Sequence, residues 1–439
     1  MRPLLPRFEA AWRRSDEIFN LIAKDALLDQ PIPLRQPLLF YLGHLPAFAW
    51  NQIGVAALRL EPWSPELDIL FERGIDPVDV DEYRAADASQ WPSEQVVLAY
   101  RDRVRDVLRP AIADHDARGY EGPGDAVRDV VAMALEHELM HHETLLYMIQ
   151  QLPHRKKVRP DGAPRLPLGA PRAKREKRLV KGGPITLGAP LQNPSFAWDN
   201  ELPERRAEVA SFLVDDLPVQ NGDYLDFVMD GGYRARALWD AESWAWKERR
   251  RMEHPLFWTR EGGSFLYRTL FEDVPLADAA SLPVYVSFAE ARAYAAWRGE
   301  RLMTEPEHHR AAYGTPDGPE RPYPWGKEPP NESRGNFNFH RWSPAPAGSS
   351  PEGASAWGIK ELVGNGWEWT ESLFEPFPGF QVTLPSYPVY SSDFFDGRHY
   401  VLLGASWATD AALVRKSFRN WFQPRYPYVF AKFRAVRPA

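Results

Sequence analysis

The sequence predicts a two-domain protein in which an all-α helical bundle is followed by an irregular α+β domain. At 439 residues the chain is too long for one ordinary core, since domains of about 150 residues are typical. Apolar residues recur at helical spacing up to about residue 152, whereas short β-type runs with frequent Gly, Pro and Asn follow after residue 179. A stretch rich in Pro, Gly and basic residues separates the two patterns.

Four amphipathic segments predict the bundle, which we assign to residues 1–152. The predicted helices lie near residues 6–28, 36–58, 92–116 and 124–152. Residues 61–90 lie between the second and the third helix, and they predict the long crossing connection that some bundles use.

Residues 153–178 predict a linker, because they are basic and rich in Pro and Gly and have no periodic apolar face. Their charge also suits an RNA-binding tail, but a solvated connector packed over both domains is the simpler interpretation. Residues 179–439 form the predicted second domain, an irregular α+β fold with long loops and one clear helix at about residues 287–298.

The composition narrows the possible chemistry. Cysteine is absent, which removes disulfides, thiolate metal sites and cysteine nucleophiles, so that any metal must be held by His, Asp or Glu. The net charge of -7 does not favour nucleic acid as a partner, and small-molecule substrates are the better expectation.

The compartment follows from two further observations. No apolar run approaches the roughly 18 to 20 residues that a membrane span requires. The first residues, MRPLLPRFEAAWRRSDEIF, carry charges where a signal peptide would place its apolar segment. We therefore expect a cytoplasmic protein without a membrane partner. We also expect a monomer and, from the net charge, no nucleic-acid partner.

A pair of histidines in the fourth predicted helix indicates a metal site. In the segment HELMHHE, His137 and His141 are four residues apart, and on a helix they project within about 40° of each other. Such a pair can chelate iron, zinc, copper or nickel, so the spacing predicts a site without fixing the metal. His44, set among apolar residues of the second predicted helix, is the candidate third ligand, although a satisfied core histidine is an equally fair interpretation of that residue alone.

The same residues also spell H-E-x-x-H, the signature of zinc hydrolases in which Glu138 would be the base. The longer form of that motif has a Gly and a third His soon afterwards, and these are missing here. A zinc hydrolase stays as an alternative. We expect His142 and Glu143 to face solvent or to support the ligands, and Glu143 could orient a ligand imidazole.

Several segments of the second domain resemble the formylglycine-generating-enzyme-like (C-type-lectin-like) fold. The segments are FAWDNE (196–201), PVQNGDYLDFVMDGGY (218–233), RLMTEPEHHRAA (301–312), GNGWEWTES (364–372) and the long run from Gly404 to Arg434 that contains RNW. Joined to a three-histidine bundle of the DinB type, they resemble the ergothioneine sulfoxide synthase family over nearly the whole chain. Trp367 and Trp369 of GNGWEWT are predicted core residues.

The resemblance implies an iron(II) enzyme that uses O₂ to join a sulfur nucleophile to an imidazole carbon of hercynine (Nα-trimethylhistidine) or histidine. In this family the RNW segment lines the hercynine pocket, and the matching residues are Asn420 and Trp421. Their chemistry agrees with that role, because an indole attracts a trimethylammonium group and an amide can hydrogen-bond a carboxylate. A core Trp beside a turn Asn is the alternative.

Four departures from the family pattern bear on the second substrate. Phe422 occupies the position of an acidic residue that relatives using γ-glutamylcysteine carry, and Arg425 lies near, but not on, the position of their Arg. Phe374 replaces the Tyr that donates a proton in those relatives, and Met140 replaces a Gln that touches the substrate imidazole. The proton donor is therefore unassigned, with Tyr41, Tyr426 and Tyr428 available.

Within the family this pattern is most similar to the selenoneine synthase branch, which joins hercynine to a selenosugar. A neutral aromatic pocket suits a sugar better than an amino acid, because a sugar stacks on aromatic faces and needs no salt bridge. Three alternatives stay open: an ergothioneine-type synthase that uses cysteine or another thiol, a zinc hydrolase or thiol transferase on the three-His bundle, and a binding module with a structural metal.

Overall fold

The computed structural model describes residues 3–72, 91–118, 126–192 and 195–439. The chain falls into two compact units. The first contains Met1–Asp161 together with two short segments from later in the chain, Gln192–Phe196 and Leu384–Tyr387. The second contains Gly162–Leu191, Ala197–Thr383 and Pro388–Ala439. The predicted fold class, a helical bundle followed by an irregular α+β domain, is confirmed.

The first unit is helical. Its α-helices are α1 (Leu5–Phe19), α2 (Leu38–Ala49), α3 (Pro65–Leu70), α4 (Glu94–Arg118) and α5 (Ala126–Gln151). Every residue of α2 is buried, as expected of a helix that is apolar all round, and α2 packs against both α4 and α5. Helix α5 also packs against α1, so the two helices that carry the candidate ligands lie side by side in the core.

The predicted first helix is too long. Helix α1 ends at Phe19 rather than near residue 28, because the next residues form an extended pair with the segment that follows α5. The N–H of Ala23 donates to the carbonyl of Lys156, and the N–H of Val158 donates to the carbonyl of Leu21. Apolar spacing continues through this region and gives no sign of a pairing between distant segments.

The second predicted helix is present but changes type along its length. After α2 the chain continues as a π-helix over Trp50–Ala57. Short π-helical stretches are rare and occur often at functional sites. Helix α3 lies within the connection predicted for residues 61–90, and residues 73–90 lie outside the described part of the chain.

The second unit contains four α-helices, where the sequence predicted one clear helix. Helix α8 (Phe288–Trp297) is the predicted one, and the others are α6 (Asn221–Met229), α7 (Ala241–Arg249) and α9 (Glu305–Tyr313). Each has nine residues, too few for a clear 3.6-residue period. The starts of two of these helices are marked in the sequence by their capping residues instead. The Thr304 side chain accepts from the N–H of Glu307, and the Glu307 carboxylate accepts from the N–H of Thr304. The Asp240 side chain accepts from the N–H of Ser243.

The described part of the second unit contains thirteen strands in four sheets. The strands are β1 (Lys177–Val180), β2 (Gly183–Leu187), β3 (Arg205–Val209), β4 (Phe212–Asp215), β5 (Trp258–Glu261), β6 (Ser264–Arg268), β7 (Asp273–Pro275), β8 (Arg301–Leu302), β9 (Gly366–Leu373), β10 (Tyr400–Ala405), β11 (Asn420–Phe422), β12 (Ala431–Lys432) and β13 (Ala435–Pro438). The sheet orders are β1-β4-β13-β8, β11-β10-β9-β12, β2-β3 and β5-β6-β7. An apolar core lies between the first of these sheets, the β2-β3 hairpin and α9.

The motif segments of the sequence meet in the sheet β11-β10-β9-β12. GNGWEWTES supplies β9, and RNW supplies β11 at the sheet edge, with Trp421 opposite Val401 of β10. Trp367 and Trp369 are buried in the core, as predicted from the sequence. Between them Glu368 is fully buried and forms ion pairs with Lys432 and Arg434, which are also fully buried.

The basic linker is not an open strip of positive charge. In the second unit Arg175 is largely buried and forms ion pairs with Asp215 and Asp223. Lys177 forms an ion pair with Glu300 at 2.6 Å. Internal carboxylates therefore neutralise these two cations of the linker. None of the helices in the described ranges combines the length and the apolar content that a membrane crossing requires.

Candidate metal centre

His44 of α2 and His137 and His141 of α5 come together in the first unit. Their ring centroids are 5.0 Å (His44 to His137), 4.9 Å (His44 to His141) and 4.4 Å (His137 to His141) apart. One nitrogen of each ring lies within 4.8 Å of the other two, and these three form the only such group of potential ligands found in the described residues. The helical spacing of His137 and His141 and the tertiary packing of α2 on α5 therefore build a single three-nitrogen site.

The surroundings of His44 select its tautomer. Its Nδ1 lies 2.7 Å from the carbonyl oxygen of Phe71. A carbonyl oxygen only accepts, so Nδ1 carries the proton and Nε2 is left with the lone pair that binds a metal. Ligand histidines usually have this kind of support.

Aromatic rings fix the orientation of two ligands. Phe40 stacks on His44 with a centroid distance of 5.0 Å and an interplanar angle of 19°, and Phe48 stacks on His137 at 3.6 Å and 9°. The ring of Tyr41 lies 5.6 Å from that of His141. The nitrogen cluster is thus packed among flat apolar surfaces that hold the imidazoles in place.

Burial keeps the three imidazoles neutral. It lowers the pKa of His44 to about 4, against the opposing effect of the hydrogen bond to Phe71. Burial, together with the neighbouring histidines, also holds the pKa of His137 well below its usual range, and the pKa of His141 is lowered in the same way. A neutral imidazole is the form that binds a metal, so protons do not compete for this site near pH 7.

The Glu of the H-E-x-x-H pattern faces away from α2. Glu138 is buried against α1, where Ser15 donates a hydrogen bond of 2.6 Å to its carboxylate, and Ser15 Oγ also lies 2.9 Å from Nε2 of His142. His142 is fully buried and Glu143 is buried as well, so of the two expectations for them, exposure to solvent or support of the ligands, the first is wrong. The helix turns His142 and Glu138 toward α1, because α5 is buried on two sides.

The predicted substrate residues of the second unit form two groups. Trp421 stacks on Phe374 with a centroid distance of 4.2 Å and an interplanar angle of 10°, and the ring edge of Tyr390 meets Trp421 at 5.2 Å. Phe374 is fully buried, and the guanidinium of Arg419 lies 4.9 Å from the centroid of its ring. Asn420, beside Trp421, is partly buried on the edge strand β11.

The second group lies just after β11. Phe422 stacks on Tyr426 with a centroid distance of 5.2 Å, and Arg425 forms an ion pair of 2.8 Å with Glu242 of α7. Met140 belongs to the first unit, where it precedes His141 on α5 and is partly exposed. The structure therefore brings Phe374 and Trp421 into contact, while Phe422 contacts Tyr426 and Arg425 contacts Glu242.

Sequence reasoning missed three contributors to the metal centre. Phe71 acts through its backbone carbonyl, which any residue could provide, so no side-chain pattern marks it. Phe48 lies four residues after His44, and this spacing could have marked it as a neighbour on the same helix face. Tyr387 meets Phe48 edge to face at 5.2 Å. Because Tyr387 lies far from Phe48 in the sequence, no local pattern indicates this contact.

Comparisons with known proteins agree with this architecture. Residues 7–145 match the DinB superfamily, and residues 165–439 match the sulfatase-modifying factor enzyme 1-like domain. The chain is 40% identical to the hercynine oxygenase of Mycobacterium tuberculosis, covering 92% of this chain and 91% of that protein. It is 30% identical to ergothioneine biosynthesis protein 1 of Neurospora crassa, covering 99% of this chain and 58% of that protein. The structure of PvdO from Pseudomonas aeruginosa is similar at 18% identity, with a TM-score of 0.41 over 60% of this chain and 94% of that chain.

A DinB bundle with a three-histidine cluster, joined to a sulfatase-modifying-factor domain, defines a class of two-domain oxidative enzymes, and this protein is one of them. The chain belongs to the ergothioneine sulfoxide synthase family, as the motifs of both domains indicated.

Proposed function

We propose that the protein is a non-haem iron(II) enzyme that uses O₂ to form a carbon–selenium bond between hercynine and a selenosugar. The observation that carries the choice of donor is that two positions at which thiol-using relatives have polar side chains are phenylalanines. Phe422 stands where those relatives have an acidic residue, and Phe374 stands where they have a Tyr. Arg425, the nearest candidate for gripping an amino-acid donor, is ion-paired with Glu242. A sugar needs no such charged grip.

The reaction balances with O₂ as the oxidant. One C–H bond of the hercynine imidazole and one Se–H bond break, and a C–Se bond forms. One oxygen atom leaves as water and the other is left on selenium, so the four electrons that O₂ accepts come from C–Se bond formation and from oxidation of selenium. No nucleophile of the protein is consumed, which is compatible with a chain that has no cysteine.

The proposal divides the work between the two parts of the chain. The helical bundle, residues 1–152, holds the iron through His44, His137 and His141. The linker, residues 153–178, connects the bundle to the second domain. That domain, residues 179–439, supplies substrate-binding side chains. Bound iron(II) would supply the redox chemistry that activates O₂ and open coordination positions for substrates.

Asn420, Trp421 and Met140 are the residues that we assign to hercynine. An indole attracts a trimethylammonium group by roughly 0.5 to 2 kcal/mol, and Asn420 can hydrogen-bond the hercynine carboxylate. Phe374 covers one face of Trp421, and the rings of Tyr390 and Phe394 lie 5.2 and 5.5 Å from the indole. The part of the indole that these three rings leave uncovered is the surface proposed for the cation.

An ergothioneine-type reaction with cysteine or another thiol is the second candidate, and the similarity to a hercynine oxygenase and to an ergothioneine biosynthesis protein favours it. Competition between donors separates the two. We expect a selenosugar to outcompete cysteine and γ-glutamylcysteine when all are present with hercynine, the iron-loaded protein and O₂. A preference for cysteine would assign the enzyme to the ergothioneine type.

A zinc hydrolase is the third candidate, and the position of Glu138 argues against it. The base of such an enzyme must reach the metal-bound water, whereas this carboxylate is held by Ser15 on α1. The protein is first loaded with iron(II) under anaerobic conditions and then exposed to O₂. It should consume O₂ only when both hercynine and a selenol or thiol are present. Full activity with zinc in the absence of O₂ would overturn the oxidative proposal.

The third ligand can be tested separately. We expect His44→Ala to lose stoichiometric iron(II), measured by metal analysis after desalting, because two imidazoles on one helix bind more weakly than three. His340→Ala, at an exposed histidine of the second unit, is the matched control and should keep its iron. Wild-type iron content in His44→Ala would remove His44 from the site.

A further inference from the structure

A short turn from late in the chain belongs to the metal-binding unit. The segment Leu384–Tyr387 clusters with the helical bundle, and Leu384 is buried there. The N–H of Tyr387 donates to the carbonyl of Leu384, which closes the turn. The amide nitrogen of Gln52, in the π-helix that follows α2, donates to the carbonyl of Ser386 at 3.3 Å.

This turn lies one aromatic ring away from a metal ligand. Tyr387 meets the ring of Phe48 edge to face at 5.2 Å, and Phe48 in turn stacks on His137 at 3.6 Å. His44, Phe48 and Gln52 follow one another at intervals of four residues, so they form a stripe that runs from the ligand nitrogen cluster to the turn.

Two polar atoms at the end of this stripe lack a partner among the residues that the structure describes. They are the side-chain oxygen of Gln52 and the hydroxyl oxygen of Ser386, and both atoms are buried. A buried polar atom without a hydrogen bond is costly, so such atoms are normally satisfied by water or by a ligand. The two lie on residues that already touch each other through the Gln52 amide.

The chemistry of this group points to a neutral ligand with hydroxyl groups. The oxygen of Gln52 only accepts, and the Ser386 hydroxyl both donates and accepts. Phe48, Gln52, Ser386 and Tyr387 carry no charge, so the group offers no charged partner for an ammonium or a carboxylate. Aromatic rings beside amide and hydroxyl groups suit the C–H faces and hydroxyls of a sugar.

We propose that Gln52, Ser386 and Tyr387 form the subsite that binds the hydroxyl groups of the sugar carried by the second substrate. The proposal rests on the selenosugar function given above and adds the residues that recognise the sugar. In this arrangement the sugar ring lies beside Phe48 and Tyr387, and its chalcogen end is directed toward the histidine cluster.

The test uses the full-length protein and two single variants, Gln52→Leu and Ser386→Ala. The probe is 1-seleno-β-D-glucose, kept reduced, with cysteine as the comparison donor. Each variant should raise KM for the selenosugar about three- to tenfold, the effect of losing one neutral hydrogen bond. We expect kcat to change less than about twofold and KM for hercynine and cysteine to stay at the wild-type value.

Binding to the metal-free protein gives a second measurement that does not depend on turnover. Saturation-transfer NMR with 1-thio-β-D-glucose should show contact with the wild-type protein and a weaker signal with both variants. Matched controls are Gln95→Leu on the exposed face of α4 and Ser392→Ala at an exposed serine near the same turn, and both should behave as wild type. Melting temperatures and iron content verify that the variants are folded.

The outcomes separate this inference from the proposed function. If the wild-type protein rejects the selenosugar and accepts cysteine, the proposed function fails and this subsite fails with it. If the wild-type protein uses the selenosugar but both variants keep wild-type KM and NMR signals, only the subsite is wrong. A rise in KM for hercynine equal to the rise for the sugar would also overturn it, because the residues would then contact the other substrate.

Discussion

Gly43→Ala should weaken metal binding although residue 43 is not a ligand. Gly43 lies in α2 next to His44, and a Cβ atom added there would lie 2.6 Å from three carbons of the Phe71 ring. Phe71 is fully buried and is surrounded by Phe40, Trp91 and Tyr100, so its ring has no free space to move into. The added methyl group must therefore push the Phe71 backbone, whose carbonyl holds Nδ1 of His44.

The size of the effect follows from two contributions. Overpacking a core costs about 1 to 3 kcal/mol, and replacing Gly by Ala within a helix returns about 1 kcal/mol, so the net loss of stability is about 0 to 2 kcal/mol. Loss of the hydrogen bond that orients a ligand histidine typically lowers metal affinity 10- to 100-fold. Metal affinity should thus fall more clearly than the free energy of unfolding.

Competition with a chelator of known affinity under anaerobic conditions measures the iron(II) affinity, and thermal unfolding of the metal-free protein measures stability. The double variant Gly43→Ala/Phe71→Leu keeps the carbonyl and removes ring atoms, so it should recover most of the lost affinity. Wild-type affinity in Gly43→Ala would refute the role of Phe71. A double variant that binds iron as weakly as Gly43→Ala would refute the steric argument.

Three further substitutions have defined outcomes. Glu138→Gln should keep at least about half of the O₂-consuming activity, because Ser15 can still donate to the amide oxygen. Phe374→Tyr should lower the free energy of unfolding by about 1 to 3 kcal/mol, because its hydroxyl would be buried under Trp421. Glu307→Gln should destabilise the protein at pH 7 by about 0.5 to 1 kcal/mol, because the amide keeps the cap but loses the ion pair with Arg301. Burial favours a higher pKa for Glu307, but bonds from Arg301 and the Thr304 N–H outweigh it and hold the pKa below its ordinary value of 4.5. The carboxylate therefore contributes stability above that value, and the contribution disappears as pH falls through the lowered folded-state pKa.

Each of these outcomes has a clear contrary result. O₂-electrode assays that show a loss of more than about 100-fold in Glu138→Gln would restore this residue as a catalytic base. Calorimetry showing that Phe374→Tyr is as stable as the wild type would mean that the site has room for a phenol. For Glu307→Gln, denaturant titrations between pH 3 and pH 7 should converge with those of the wild type at the acidic end. A gap that stays constant with pH would contradict the assignment to the carboxylate.

The part of the site that the sequence predicted is the part that local geometry determines. His137 and His141 could be paired because a spacing of four residues has one meaning on a helix. The pairing of either with His44 needed the packing of α2 on α5, and only the resemblance to a family supplied it beforehand. The tautomer of His44 depends on a backbone carbonyl, and residue identity does not encode that contact.

The same distinction explains the fold-level errors. Helix α1 stops at Phe19 although apolar spacing continues, because Ala23 and Val158 find backbone partners in a distant segment. The short helices α7 and α9 were missed because periodicity needs several turns, whereas their caps at Asp240 and Thr304 are local and readable. Patterns within one element were thus informative, and pairings between elements were not.

The charge of the metal site links the bundle to the choice of second substrate. All three ligands found in the described residues are neutral imidazoles, and Glu138 of the same helix is bound to α1 instead. A divalent ion held by them keeps its full charge among Phe40, Phe48 and other apolar rings, where unscreened charge is costly. An anionic ligand from a substrate would lower that cost. A selenol is more fully ionised near pH 7 than a thiol, so it supplies such a ligand more readily. In the proposed reaction the protein would then need to recognise only the uncharged remainder of that substrate, which is the role proposed for Gln52 and Ser386.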